Sequence, residues 1–584
     1  QARLVDRGQP KKADGRRGIR PRSIAMRIKA CIACAAILFG GVVPQAPAAS
    51  APNSKKRMNF VWMFPDTLRA ESHSSYGFPL PTTPNLDKFA AKGVRFEQTH
   101  VAHTQCSPSR VTMLTGRHMH VLGHRTQTNL IQPYEFNYFQ ILKDSGYNVQ
   151  YYGKNDAFSE DSLNLSVSEW HDDIGMATGP SAVPYPEAGY YAMLKEPADV
   201  AKDDTDRNGE YRAVTKAVTW MKSSPPEPFL VFIPGKGAHP PYGSPREFHN
   251  KFSVDMLKEK GVTLRPPYGD GKPKYHSRDT GIPHYRNFTS LDDDFFYRIQ
   301  SAYLGMVSYS DWIFGELLKG IEEAGLEDNT AIFYTSDHGD FAGDFHLIEK
   351  WPGGADDVLT RVPLFARVPG GSQGFVAQAP VSLIDVPHTI CELAGLDVRG
   401  DGFGPYGRNF GTSLLPQLLR GEEDSQAMSR FVYAEGGFSP SDVFPMGSDH
   451  VSDNPKELYY PRAMEEMSEG GNGSPRWIMM RNLTHKLVYR SAGGSELYSY
   501  AEDPRELRNL FADQAYRGLR DELQAQLMQW LVNTSDVSPV HQDPRGLPNY
   551  PNSASACATS GAVGPLVSPS IGLGLEEEEE AMVV

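Results

Sequence analysis

From Asn59 onward, short apolar runs alternate with stretches whose apolar residues recur at helical spacing. Asn59 to Phe64 (NFVWMF) reads as a buried strand, as do Val149 to Tyr152, Phe229 to Ile233 (FLVFI) and Thr330 to Tyr334 (TAIFY). Between them, Thr83-Pro84 opens a helix that runs through Lys92 and stops at Gly93, with proline early and glycine just past the end. Phe139 to Lys143 reads as helix ending near Gly146, and Phe295 to Glu322 carries a long helical period through Ile299, Tyr303, Met306, Ile313 and Leu317. No internal repeat is present. The alternation predicts a parallel α/β sheet rather than separate all-α or all-β modules.

Each strand gives way to a loop with ionisable residues: Pro65-Asp66, Gly153-Lys154, Gly237-Ala238-His239 and Ser336-Asp337-His338-Gly339. In an open α/β sheet the ligand crevice lies outside the carboxyl ends of the strands, so four distant segments are expected to bring charged side chains to one edge. Any one such loop could be polar for solvation alone. The joint pattern, with complementary chemistry, points to a site.

The 584 residues, 40% hydrophobic and 22% charged, suffice for a sizeable core and exclude wholesale disorder or a coiled coil. Lys plus Arg, 58, against Asp plus Glu, 71, leaves a formal net charge of −13. That argues against a general nucleic-acid or anionic-membrane binder and leaves room for a local basic pocket. Residues 1 to 25 carry eight Lys or Arg against two Asp, and Met26 to Lys29 then open onto the apolar run Ala30 to Val43 and the small residues Ala46 to Ala51. The run is short for a membrane span of about 20 residues. A secretory signal peptide within residues 1–51 is therefore expected, delivering a secreted, periplasmic or lumenal protein without stable membrane insertion; an uncleaved anchor is the alternative. Of five cysteines, Cys31 and Cys34 fall in that leader, and Cys106, Cys391 and Cys557 do not make a disulfide framework. Residues 541–584, rich in Pro, Ser, Ala and Gly and ending in Glu576 to Glu580, read as a disordered acidic tail.

Cys106-Ser107-Pro108-Ser109-Arg110, continued by Val111 to Arg117, reads as a loop entering a helix with Cys106 at its N-terminus. There the dipole and free amides favour an anion, and Arg110 returns one turn later to the same point, which suits a nucleophile acting on an oxyanion. A buried structural cysteine is the competing reading of these residues alone. The string C-x-P-S-R-x-x-x-L-T-G, however, closely resembles the signature of the type I sulfatases of the alkaline phosphatase superfamily. The resemblance extends over nearly the whole chain beyond the leader: Asp66-Thr67-Leu68-Arg69, Gly153-Lys154, His239-Pro240-Pro241-Tyr242, Ser336 to Asp340, Lys350, Arg361 to Leu364, Ser382 to Asp385, and late Glu496-Leu497-Tyr498 with Asp503-Pro504 and Asn509-Leu510.

That resemblance implies an α/β fold, an alkaline-phosphatase-like sandwich with a large mixed, mostly parallel sheet flanked by helices, plus a smaller C-terminal α+β subdomain. The expected divisions are 58–410 for the catalytic domain and 411–540 for the subdomain. It also implies conversion of Cys106 to formylglycine (3-oxoalanine) by a formylglycine-generating enzyme. A divalent metal would sit on Asp66, Cys106, Asp337 and His338. Arg110, Lys154, His239 and Lys350 would surround a sulfate, with His239 first choice for protonating the leaving group. Oxygen-rich ligation favours Ca²⁺, with Mg²⁺ and Mn²⁺ as alternatives given the imidazole. One hydroxyl of the hydrated aldehyde, with Asp337 as base, would attack sulfur and expel the alcohol, and the second hydroxyl would eject sulfate.

Two departures stand out: many sulfatases carry Asp-Asp where this chain has Asp66-Thr67, and Asn where it has His338. Asp-x-Leu-Arg with Asp-His also resembles members that cleave phosphonate or phosphate esters. Phosphonate monoester or phosphodiester hydrolysis is accordingly the second expectation, and an inactive binder of sulfated glycans the third. The long loops 400–408 and 439–473 are expected to shape the pocket for a sulfated small molecule or glycan.

Overall fold

A computed structural model describes residues 56–171, 181–196, 209–249, 251–267, 271–273, 276–277, 284, 286–350, 353–398, 408–438, 456 and 475–536. The leader over 1–51, the tail over 541–584 and, apart from Arg408 and Lys456, the loops 400–408 and 439–473 lie outside the described residues.

The eight strands of the large sheet are β1 (Asn59–Met63), β2 (Val94–His100), β3 (Asn148–Tyr152), β4 (Glu169–His171), β5 (Phe229–Ile233), β6 (Thr330–Thr335), β7 (Leu364–Arg367) and β8 (Phe375–Ser382). They lie in the order β4-β3-β5-β1-β6-β7-β2-β8. Only β7 runs against its neighbours; β1 pairs in parallel with both β5 and β6, in register Val61 with Val231 and with Ile332. The sheet is thus mixed and mostly parallel, as expected. Every residue of β1, β5 and β6 is buried because both faces are covered, which is why these strands read as continuous apolar runs instead of alternating ones.

Side-chain alternation along β1 divides the core. Val61 and Met63 pack into a cluster with the long helix Asp293–Glu323 and the helix Gly209–Lys222, through Ile299, Tyr303, Leu317 and Val214. Phe60, Trp62 and Phe64 point the other way, toward the helices Cys106–Thr115, Tyr138–Asp144 and Asp385–Leu393, through Val111, Phe139 and Ile390. The long helix is capped by Asp292, whose carboxylate accepts from Phe295 N–H at 3.1 Å.

Four strands of this sheet escape an apolar-run reading, among them the three-residue β4 (EWH). β2 (VRFEQTH) carries half-buried Arg95 and Glu97, which pair with each other, Glu97 pairing also with Arg361. β7 is only four residues long. β8 contains Pro380, which is tolerated because β8 is an edge strand bonded only to β2. The helix opened by Pro84 ends at Ala90, two residues before the expected Lys92.

Toward the C-terminus a second, antiparallel sheet has the order β12-β11-β10-β9, from β9 (Val432–Gly436), β10 (Trp477–Arg481), β11 (His485–Arg490) and β12 (Glu496–Ser499). The helix Arg517–Thr534 covers one face through Leu523 and Leu527 against Met480, Leu487 and Leu497. Among the described residues, no helix is long and apolar enough to cross a membrane.

Candidate active site

The parallel strands deliver their loops to one edge: Asp66 after β1, Lys154 after β3, His239 after β5, and Asp337 and His338 after β6. Close approach of these loops demands glycine at two points. A Cβ on Gly237 would lie 2.1 Å from the Asp66 carbonyl oxygen, and one on Gly339 would lie 1.9 Å from that of Val358. Cys106 is the first residue of its helix, as the motif predicts, and Ser109 Oγ ties that helix to the Asp337 carbonyl at 2.6 Å.

Cys106 Sγ stands 3.7 Å from Asp66 Oδ1 and 3.3 Å from His338 Nε2, all in the buried interior. Candidate ligand atoms of Asp66, Cys106, Asp337 and His338 all lie within 4.8 Å of one another. His338 Nδ1 sits 2.9 Å from the Gly339 carbonyl, which can only accept, so Nδ1 carries the proton and Nε2 presents a lone pair. That lone pair faces Asp66 Oδ1 at 3.4 Å and Asp337 Oδ1 at 3.7 Å. Burial holds the imidazole below its ordinary range despite both carboxylates, so it stays neutral. Lone pairs converging on one point in a buried site are a demand for a cation, and two carboxylates, an imidazole and an oxygen on a converted Cys106 fit a divalent one.

Arg110 spans the two carboxylates: Nη2 reaches Asp66 Oδ2 at 3.2 Å and Asp337 Oδ2 at 2.8 Å, and Nε adds a bond to the latter at 2.9 Å. Its Nη1 is buried with no hydrogen-bond partner. Lys154 Nζ bridges Asp66 Oδ2 at 2.9 Å and Asp156 Oδ2 at 2.6 Å. Burial alone would raise the Asp66 carboxyl, but the charges of Lys154 and Arg110 hold it well below the usual range. The helix N-terminus would favour a thiolate at Cys106; burial first, then the Asp66 charge, push the thiol up to about 12 instead. Without conversion or a bound cation the thiol form is therefore favoured, and a thiol is a poor nucleophile.

Lys350 and His239 meet directly, Nζ to Nε2 at 2.9 Å. His239 Nδ1 donates to the Pro240 carbonyl at 2.6 Å, so Nε2 accepts from the ammonium. Burial and the Lys350 charge keep His239 neutral, its pKa well below the ordinary value. In this arrangement the charged donor of the pair is Lys350.

All eight residues singled out from the sequence thus lie in this cluster. Sequence reasoning missed Asp156 and gave Thr67 no task. Thr67 sits at φ 68°, unusual for a β-branched residue, and there donates its hydroxyl to Asp66 Oδ1 at 2.5 Å and its N–H to Asp337 Oδ1 at 3.1 Å. Its role rests on a backbone conformation that residue identity does not announce. Asp156 left a weak signal: an acid two residues from a lysine in a loop just past a strand.

A family model described as Sulfatase matches residues 58–396. The Uncharacterized sulfatase YidJ of Escherichia coli (strain K12) is 26% identical over 495 residues, covering 82% of this chain and 88% of that protein. Among solved structures, a phosphonate monoester hydrolase of Agrobacterium radiobacter superposes with a TM-score of 0.60 at 19% identity, over 82% of this chain and 96% of its own. A protein solved with its substrate D-glucosamine-2-N,6-O-disulfate gives a TM-score of 0.58 at 19% identity, over 82% of this chain and 98% of its own.

Proposed function

The chain belongs to the sulfatase family and is a sulfuric ester hydrolase, and from that premise we propose that it cleaves the sulfate ester of a small molecule or glycan at the Asp66–Cys106–Asp337–His338 cluster. The carrying observation is the convergence of Asp66 Oδ1, Asp337 Oδ1, the His338 Nε2 lone pair and Cys106 Sγ on one buried point. Asp66, Asp337, His338 and the converted Cys106 hold a divalent cation, Ca²⁺ by oxygen count, with Mn²⁺ and Mg²⁺ as the alternatives. When present, the cation and the hydrated formylglycine supply a Lewis acid and a hydroxyl nucleophile, respectively.

The chain's own groups do the rest. Arg110, anchored on two carboxylates, directs its positive charge to the sulfate, and Lys154, partly open to solvent, offers its ammonium to a sulfate oxygen. Asp337 holds the proton taken from the attacking hydroxyl. Lys350, donating to neutral His239, faces the leaving oxygen, and the pair supplies its charge stabilisation and proton. A formylglycine-generating enzyme acts on Cys106 during maturation, and the basic leader with its apolar run supports export.

The second reading, phosphonate or phosphate ester hydrolysis, draws on Thr67 and His338, which leave the cluster with two carboxylates and an imidazole. Comparing kcat/KM for 4-nitrophenyl sulfate with that for 4-nitrophenyl phenylphosphonate, on converted and metal-loaded protein, decides between them. The proposal predicts preference for the sulfate; preference for the phosphonate favours the second reading.

A further inference from the structure

His239 and Lys350 lie on different loops, yet their nitrogens meet at 2.9 Å. Tyr242, three residues after His239, is fully buried and donates its hydroxyl to Asp340 Oδ1 at 2.8 Å. The same two oxygens both receive the N–H of Glu349, the residue before Lys350: Tyr242 Oη at 2.8 Å and Asp340 Oδ1 at 3.0 Å. Asp340 Oδ1 also accepts from Ala342 N–H at 2.7 Å. The loop is closed on itself by Phe341 N–H to the Glu349 carbonyl and Gly343 N–H to that of Leu347, both at 2.9 Å. Within it Ala342, Phe345, His346 and Glu349 all have positive φ, between 45° and 64°. Non-glycine residues hold such conformations only where surrounding contacts over-determine them. The circuit is therefore complete: His239 leads by chain to Tyr242, Tyr242 by hydrogen bond to Glu349, Glu349 by chain to Lys350, and Lys350 by hydrogen bond back to His239.

We propose that Tyr242 and Asp340 are positioning residues that clamp the Glu349 backbone to the His239–Tyr242 segment and so hold the Lys350 ammonium on His239, facing the leaving oxygen. This rests on the role given to Lys350 above. A long lysine stem loses considerable rotamer freedom when its head is fixed, and misplacement by about 1 Å of a group that must meet developing charge can lower the rate on the order of 100-fold. The clamp is separate from the nucleophile: the hydrogen-bonding contacts of Cys106 Sγ are to Asp66 and His338, the Tyr242 hydroxyl is spent on Asp340 and Glu349, and the Glu349 carboxylate adds an ion pair to Lys350 Nζ at 3.6 Å.

The test is a double-mutant cycle on converted, metal-loaded protein, with aryl sulfates of graded leaving-group pKa as substrates and bound metal and thermal midpoint recorded for every variant. Tyr242→Phe removes one hydroxyl and should lower kcat/KM about 10-fold or more. The loss should grow as the leaving group becomes poorer, in parallel with Lys350→Ala, and should vanish in the Lys350→Ala background. Asp340→Asn, which keeps the accepting oxygen, should retain more activity than Asp340→Ala, giving a second readout if Tyr242→Phe folds poorly. Additive losses from Tyr242→Phe and Lys350→Ala, or a Tyr242→Phe loss independent of leaving group, overturn the clamp and leave the Lys350 assignment standing. Wild-type turnover by Lys350→Ala overturns that assignment and the clamp with it.

Discussion

Beneath the C-terminal sheet, buried cations and carboxylates close on one another. Arg481 donates to Asp357, Lys486 Nζ reaches Glu506 at 2.7 Å, Lys272 Nζ reaches Asp356 at 3.1 Å, and Arg490 Nη2 reaches Glu496 at 2.6 Å. Tyrosine hydroxyls fill remaining positions: Tyr498 on Glu496 at 2.6 Å and Tyr500 on Glu506 at 2.7 Å. Around Cys106 the charges are as deeply buried, but acceptors face acceptors: the His338 Nε2 lone pair lies against Asp66 Oδ1 and Asp337 Oδ1. The first arrangement joins the loop before β7 to β10, β11 and β12 by pairing opposite charges. The second gathers ligand atoms of Asp66, Cys106, Asp337 and His338 within 4.8 Å of one another, a set that could hold a metal ion. Burial of charge alone does not mark function; the direction of the unpaired lone pairs does.

On this contrast, substitutions in the site should cost activity and substitutions in the network should cost stability. The largest effect is expected from Cys106→Ala, which should lower kcat by at least about 10³-fold in a sulfate-release assay, with the thermal midpoint little changed. Next comes Asp337→Asn. It removes a ligand charge and should lower bound metal, measured by elemental analysis, together with turnover by about 100-fold; chelation of the wild-type protein should do the same reversibly. On the other side, Lys486→Met removes the buried ammonium from Glu506 and should cost about 3 kcal/mol in urea unfolding, while kcat per folded molecule holds. Loss of turnover in that folded variant would break the comparison. The smallest effect is expected from Thr67→Val, which deletes the hydroxyl on Asp66 and should weaken metal affinity about 10-fold in a titration followed by thermal shift.

The sequence announces the site better than the scaffold. Asp66, Cys106, Asp337 and His338 stand in motifs whose chemistry is local, and the strands before Asp66 and Asp337, with every residue buried, read as unbroken apolar runs. β2 and β8 do not, since their charged residues and Pro380 are accommodated by cross-strand pairing and an edge position that exist only in the fold. Thr67 and the Tyr242–Asp340–Glu349 contacts are equally silent, because they depend on positive φ and on loops far apart in the chain. The surroundings of Cys106 are only half legible for a related reason. A helix N-terminus is visible in sequence, whereas burial beside the Asp66 carboxylate is not.

The central claim is that Cys106 acts only after conversion, which peptide mass spectrometry of Phe96–Arg110 tests directly on protein produced with a formylglycine-generating enzyme. Replacing CH₂SH by CHO removes about 18 Da and creates the activated nucleophile the account requires. The account predicts that mass loss, with sulfate-ester turnover proportional to the converted fraction. Full turnover from protein whose Cys106 retains the thiol would contradict it.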